Sequence, residues 1–325
     1  MVRAKRLLAV GLIGLLAVSG CSTESPGEPT PANVGNASGL AGALQRVQST
    51  PETRQSLSYG DVAAVQQLIK ADERRFRLID GTGLDHLFNY RKLIQEGIDL
   101  DLSVMREAIT AGVPPRWAGI VIGDYDVAAV DKRIAARDVP QEKDGDATVW
   151  TSGANGEINL DSGPFQDMVQ LSEFNNIRTE PGAFSYAPMA DALAWVTKPE
   201  GQRLAEDEGM SAAASCLGDV VAARLIRDSN APDVVVAVGV RAPSASEVTE
   251  VVCFGSPNGD AEELRARITT ALEQAGGEPA GMLSDAEAGV DGSTVRLVLT
   301  PGSDEPVGRT LQLLQDGTLV RLVSR

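Results

Sequence analysis

Arg3, Lys5 and Arg6 precede an apolar run over 7–18 that stops at Val18-Ser19-Gly20-Cys21. A basic start, an apolar stretch of roughly a dozen residues and small residues before a cut point form the grammar of a secretory signal, and such a run is too short to span a bilayer unaided. Residues 22–37 are rich in Pro, Gly, Ser and Thr and nearly free of large apolar side chains. A stretch of this kind buries too little surface to offset the entropy of ordering, so it reads as a tether reaching on the order of 3 Å per residue when extended. Whatever folds must be built from residue 39 onward.

Val18-Ser19-Gly20-Cys21 resembles the lipobox of bacterial lipoproteins, an aliphatic residue and two small residues ahead of the lipidated cysteine. The resemblance covers the signal, 1–20, and Cys21 at the head of the 21–38 tether. It implies a diacylglyceryl group on the Cys21 thiol, loss of the preceding peptide, further (palmitate-like) acylation of the new amino terminus, and a place on the extracytoplasmic face of the cell membrane. Each buried CH₂ contributes about 0.8 kcal/mol, and stable anchoring takes two membrane signals, so a multiply acylated cysteine suffices without a membrane helix.

Charge narrows the choice of partners. The chain carries 29 basic and 45 acidic residues for a net of -16, and cleavage before Cys21 removes Arg3, Lys5 and Arg6 and makes the balance more acidic. An acidic body is repelled by phosphate backbones and anionic lipid surfaces, which argues against nucleic acid and leaves the lipid to hold the membrane. The acidity has a second reading, as a solubility feature only.

With Cys21 assigned to lipid, Cys216 and Cys253 remain. An oxidising compartment makes a disulfide the expectation for such a pair, with two free buried thiols as the alternative. Cys216 lies in a helical pattern and Cys253 in the strand-like Val251-Val-Cys-Phe, so the bridge would staple a helix onto a sheet.

The pattern along the chain alternates α and β. Helices are expected over 39–48, 61–71, 84–95, 102–111, 126–136, 189–196, 211–227, 260–274 and 306–315, and strands over 117–123, 147–152, 157–160, 184–186, 233–242, 247–255, 294–300 and 318–323. Residues 243–246 join two of the strands as a hairpin. The expected class is α+β, with helices on one side of the strands, arranged as two packed subdomains of short sheets over 39–185 and 186–325. Asp61-Val-Ala-Ala-Val and Asp126-Val-Ala-Ala-Val are identical, and Ser58-Tyr59 is echoed by Ser185-Tyr186. A duplicated β-α unit accounts for this; so does the sameness of capped helices in an Ala/Val-rich chain. Either way Asp61 and Asp126 read as N-caps.

Catalytic grammar is sparse. His86 is the one histidine, in Leu84-Asp85-His86-Leu87, which reads as a surface or satisfied side chain rather than a triad base. No Ser-X-X-Lys or Gly-X-Ser-X-Gly occurs, and a zinc site built on a histidine pair cannot form within one chain. Gly81-Thr82-Gly83 lacks the third glycine of a phosphate loop and reads as a turn. The pairs Asp124 with Asp126 and Asp144 with Asp146 have the residue type for acid chemistry, without the glycine and glutamate of a calcium loop. Aromatics make up 4% of the chain, so Trp117, Trp150 and Trp195 are expected in cores rather than on a ligand platform.

Trp117-Ala-Gly-Ile-Val-Ile-Gly-Asp-Tyr-Asp, Leu193-Ala-Trp-Val and the preference for arginine over lysine are similar to uncharacterised actinobacterial cell-envelope lipoproteins. That resemblance implies a surface protein and brings no activity with it. The expectation is a non-catalytic envelope protein that binds a partner protein or small ligand, with no cofactor and no metal. An envelope hydrolase using paired carboxylates, or a structural spacer, stands as the alternative.

Overall fold

Asp61 and Asp126 do the same local job. Each carboxylate accepts a hydrogen bond at 2.9 Å from the backbone N–H three residues on, Ala64 and Ala129 respectively, which satisfies an otherwise orphaned donor of the first helical turn. The echo in the sequence is therefore a shared cap, opening helices α2 (Val62–Ala71) and α5 (Val127–Ala135).

The computed structural model describes residues 38–157, 163–169, 172–229, 231–256, 259–275, 282–283 and 286–324; the signal, Cys21 and nearly all of the tether lie outside them, as does most of the strand expected over 157–160. The strands are β1 (Ser56–Asp61), β2 (Glu107–Val113), β3 (Arg116–Ile122), β4 (Gln141–Asp144), β5 (Ala147–Thr151), β6 (Asn176–Glu180), β7 (Ala183–Ala187), β8 (Ala222–Ile226), β9 (Val235–Ser244), β10 (Glu247–Gly255), β11 (Glu287–Asp291) and β12 (Thr294–Leu299). The other helices are α1 (Gly39–Arg46), α3 (Glu73–Phe76), α4 (Arg91–Ile98), α6 (Ala190–Thr197), α7 (Glu208–Leu217), α8 (Ala261–Ala275), α9 (Arg309–Gln315) and α10 (Thr318–Arg321).

All twelve strands join one antiparallel sheet in the order β11-β12-β10-β9-β8-β1-β2-β3-β7-β6-β5-β4. The class is α+β. The strands form a single sheet rather than the short sheets expected, because β1 pairs β2 on one side and β8 on the other and carries the ladder from one half of the sequence into the other. The boundary expected at 185/186 falls inside β7.

Helices cover both faces, not one. Alternate residues of the central strands explain why: Leu57, Tyr59, Ile109, Ala111 and Ala223 point to a core completed by α1, α6 and α7, here called face A. On the other face, β2 to β7 pack beneath α4 and α5, and β8 to β12 beneath α2, α8 and α9. Trp117 and Trp150 are buried on that second face and Trp195 on face A, as aromatic scarcity predicts.

Four expected elements differ. The helix over 102–111 is a short 3-10 turn (Leu102–Val104) followed by β2, since Ala108 and Thr110 are buried on one face and Ile109 and Ala111 on the other, a two-sided pattern that a helix cannot satisfy. Pro114 and Pro115 form the two-residue hairpin loop between β2 and β3 instead of ending a helix. The helix over 211–227 stops at Leu217, where Gly218 takes φ 65°, and residues 222–226 cross to become β8. Residues 318–323 hold the short helix α10 rather than a strand; Leu319 and Val320 are buried against the face of β8 to β12, and Asp316 accepts from Thr318 N–H to start the turn. Of the helix over 84–95, α4 begins only at Arg91.

Cys216 and Cys253 form a disulfide that joins α7 to β10. The bond closes a loop spanning 37 positions. In the chain-entropy picture a loop of that size is worth about 4 kcal/mol. A second long-range tie comes from Glu250 of β10, 2% exposed. Its Oε1 accepts from Gly308 N–H at 2.7 Å and its Oε2 from Thr310 N–H at 2.8 Å and from the Thr310 hydroxyl, fixing the start of α9.

Urea denaturation monitored by circular dichroism is expected to show the C216S/C253S double variant less stable by about 3–4 kcal/mol. The same measurement on Glu250→Ala, which strands three buried donors, is expected to show a loss of about 3 kcal/mol or more.

Candidate functional site

The placement of α7 builds a cavity. At its N-terminus Asp207 accepts from Met210 N–H at 2.9 Å and takes two hydrogen bonds from Arg227, at 2.7 and 3.2 Å. Burial raises the Asp207 carboxyl, yet these bonds outweigh it and leave its pKa below the usual range. At the C-terminus Arg241 of β9 donates from Nε to the Leu217 carbonyl at 2.6 Å and from Nη2 to that of Cys216 at 3.0 Å. A cation on the last carbonyls complements the helix dipole and satisfies acceptors that have no partner within the helix. Gly218 gives this guanidinium room, since a Cβ there would sit 3.0 Å from Nη2. Burial, and then Arg296, lower the Arg241 pKa against the opposing charge of Asp219.

Between α1, the end of α7 and the ends of β1, β2, β9 and β10 lies a cavity of about 1210 Å³ on face A. Leu40, Leu44 and Val220 give it apolar walls, Tyr59 and Glu107 line it from the strands, and Ser38 lies on its lining where the described chain begins. Asp61, Asp219 and Glu247 also line it, so four carboxylates face one arginine there.

Glu107 is the unusual group. It opens β2, is 4% exposed, and its Oε2 has no hydrogen-bond partner among the described residues. Its Oε1 stands 3.7 Å from Nε of the mostly exposed Arg106. Burial raises its pKa, opposed by Arg106, Arg46 and the Gly39 N–H, with Asp61 adding to the rise. Tyr59 is raised as well, first by burial and then by Glu107 and Asp61.

The residues singled out from the sequence are accounted for individually. Cys216 and Cys253 are bonded, and Cys216 sits in the helix that walls the cavity. Cys21 lies outside the described residues. His86 stacks on Trp117, ring centroids 3.8 Å apart, and burial lowers its pKa. Ser58 donates directly to Asp85 at 3.1 Å, and Asp85 also accepts from Arg224 at 2.7 Å, so the serine, acid and histidine are not arranged as a relay. Gly81-Thr82-Gly83 is a turn; it lies so close to the sheet that a Cβ on Gly83 would fall 2.3 Å from the Ala108 carbonyl oxygen.

The paired acids do not converge on a cleft. Asp126 is occupied as a cap and Asp144 pairs with Arg178 and Lys198, whose hydrogen bonds lower its pKa, Lys198 first. Asp124 and Asp146 are exposed, and none of the four lines the face A cavity. No group of three or more His, Cys, Asp or Glu side chains among the described residues is placed to hold a metal ion. Nor is any helix among them long and apolar enough to cross a membrane.

Sequence reasoning passed over Glu107, Tyr59 and Arg241. A signal was available for two of them: each is the charged exception in an apolar strand, in Glu107-Ala-Ile-Thr-Ala-Gly-Val and in Val235-Val-Ala-Val-Gly-Val-Arg.

No family model matches the chain, and no curated protein matches it. A solved structure titled "Structure of crystal form I of TP0453" is similar to it, with 10% identity, 84% of this chain and 96% of that chain covered, and a TM-score of 0.42. A likeness that shallow leaves the reading of the site to this chain's own residues.

The raised Glu107 pKa fixes a direction for stability against pH. Above the ordinary glutamate value the unfolded chain has released this proton while the native state keeps it, so stability falls as pH rises through the window up to the raised value. Glu107→Gln is expected to remove that component, seen as a flatter plot of unfolding free energy against pH over the window, with the rest of the profile unchanged.

Proposed function

We propose that this chain is a lipid-anchored protein of the extracytoplasmic membrane face whose α+β body is a non-catalytic binder of a small ligand. The observation that carries the reading is the face A cavity of about 1210 Å³, in whose lining apolar residues such as Leu40, Leu44 and Val220 alternate with polar and charged ones such as Tyr59, Asp219 and Arg241. Ligand sites have this mixture, since apolar walls supply burial and isolated polar groups set orientation. Two features support the location: the lipobox ahead of the Pro- and Gly-rich tether, and the Cys216–Cys253 disulfide, a bond favoured in oxidising compartments.

Fractionation with intact-mass analysis tests the anchor. The native protein is expected in the membrane fraction, beginning at Cys21 with acyl mass added, and Cys21→Ser is expected in the soluble fraction. Recovery of a native chain that retains Met1 and an unmodified Cys21 would overturn the location. Native mass spectrometry of the purified chain tests the binder: a small-molecule adduct is expected, and it should be lost when Ala41→Trp, on the exposed side of α1, projects an indole into the cavity.

A further inference from the structure

The helix α1, which walls the face A cavity with residues 38–41, 44 and 45, is pinned at one end. Beyond its last turn the Val47 carbonyl accepts from Leu204 N–H, Gln48 N–H donates to the Trp195 carbonyl and Ser49 N–H to that of Gln202, each at 2.9 Å. At the other end Ser38 makes no side-chain cap bond and the first turn carries no acidic residue. Among the described residues no backbone-to-backbone bond ties 38–46 to another element. The helix has eight residues, two of them glycines, so it persists only through the packing of Leu40, Ala43 and Leu44 on face A. Beneath the uncapped end lies Glu107, which the alternation of β2 puts on the same face as Ile109 and whose carboxyl feels the Gly39 N–H. Its Oε2 is buried without a donor, a deficit that water would make good once the end of α1 moved away.

We infer that α1 is a hinged lid on the face A cavity, its first turn lifting from the sheet while 47–49 stay bonded, and that ionisation of Glu107 favours the lifted position. The inference rests on the ligand-binding reading of this cavity and adds how a ligand is admitted. Charged and titratable groups face Glu107 from the elements around it: Tyr59 and Asp61 on β1, Arg106 beside it, Arg46 on α1, and Asp219, Glu247 and Arg241 around the cavity, while its neighbour on β3 is Ile122. Burial, with Asp61 adding to it, favours the neutral carboxyl and outweighs Arg106, Arg46 and the Gly39 N–H, which favour the ionised form. Lifting α1 returns the group to water and to its ordinary value. The closed state therefore keeps a proton that the open state releases, and opening becomes easier as pH rises above that value.

The test is hydrogen exchange read by mass spectrometry on the full chain carrying Cys21→Ser with the disulfide intact, from about pH 4, near the ordinary glutamate value, to about pH 8. The amides of 43–46, those bonded within α1, are expected to be at least about tenfold less protected than the amides of 213–217 in α7. After correction for intrinsic exchange rates, that ratio should widen at least about threefold across the span, and by less than about twofold in Glu107→Gln. Asp146→Asn should match the native sequence. Should Glu107→Gln fail to fold, as judged by near-ultraviolet circular dichroism, the native ratio against pH decides the matter. Protection of α1 equal to that of α7, a ratio that does not move with pH, or the same movement in folded Glu107→Gln would overturn the lid. No ligand enters this experiment, so those results leave the ligand-binding reading standing; that reading fails separately, on the adduct expected in native mass spectrometry.

Discussion

The attachment of α7 to face A governs the rest of the molecule's functional surface. A covalent bond ties Cys216 to Cys253 in β10, Arg241 of β9 caps the last carbonyls, and Arg227 just beyond β8 holds the Asp207 cap. Three attachments from three neighbouring regions fix a ten-residue helix in position and direction. Because its C-terminal end stops at Gly218 instead of continuing across the strands, the ends of β1, β2, β9 and β10 are left uncovered there. The cavity is the space that this stop leaves between α7 and α1.

The same economy appears in how charge is used. Most buried or half-buried charges are spent on structure: Glu250 holds the start of α9, Asp85 joins Arg224 to Ser58, and Arg178 gathers Asp144 and Glu180. Each of these has its hydrogen-bonding capacity engaged, as burial demands. Glu107 departs from the pattern, since one carboxylate oxygen is buried and unpaired.

Much of this was legible from residue order alone, and what was not has physical causes. The caps at Asp61 and Asp126, the cysteine pair, the hairpin at 243–246 and the burial of the tryptophans follow from local chemistry or scarcity, which the sequence displays directly. The continuity of the sheet does not, because it depends on β1 finding β8 more than 160 positions away, a pairing with no local mark. Residues 102–111 mislead for a related reason: the Ala, Ile and Thr of 108–111 are placed there by a sheet covered on both faces, and two-sided burial erases the alternation that marks a strand. The cavity was the least legible feature, because its lining comes from six separated stretches of chain brought together only by the fold.

The most direct measurement is a crystal structure of the protein purified from its native membranes. The account predicts density for a small ligand in the face A cavity, alongside Leu40 and Leu44. A cavity holding only water would contradict it.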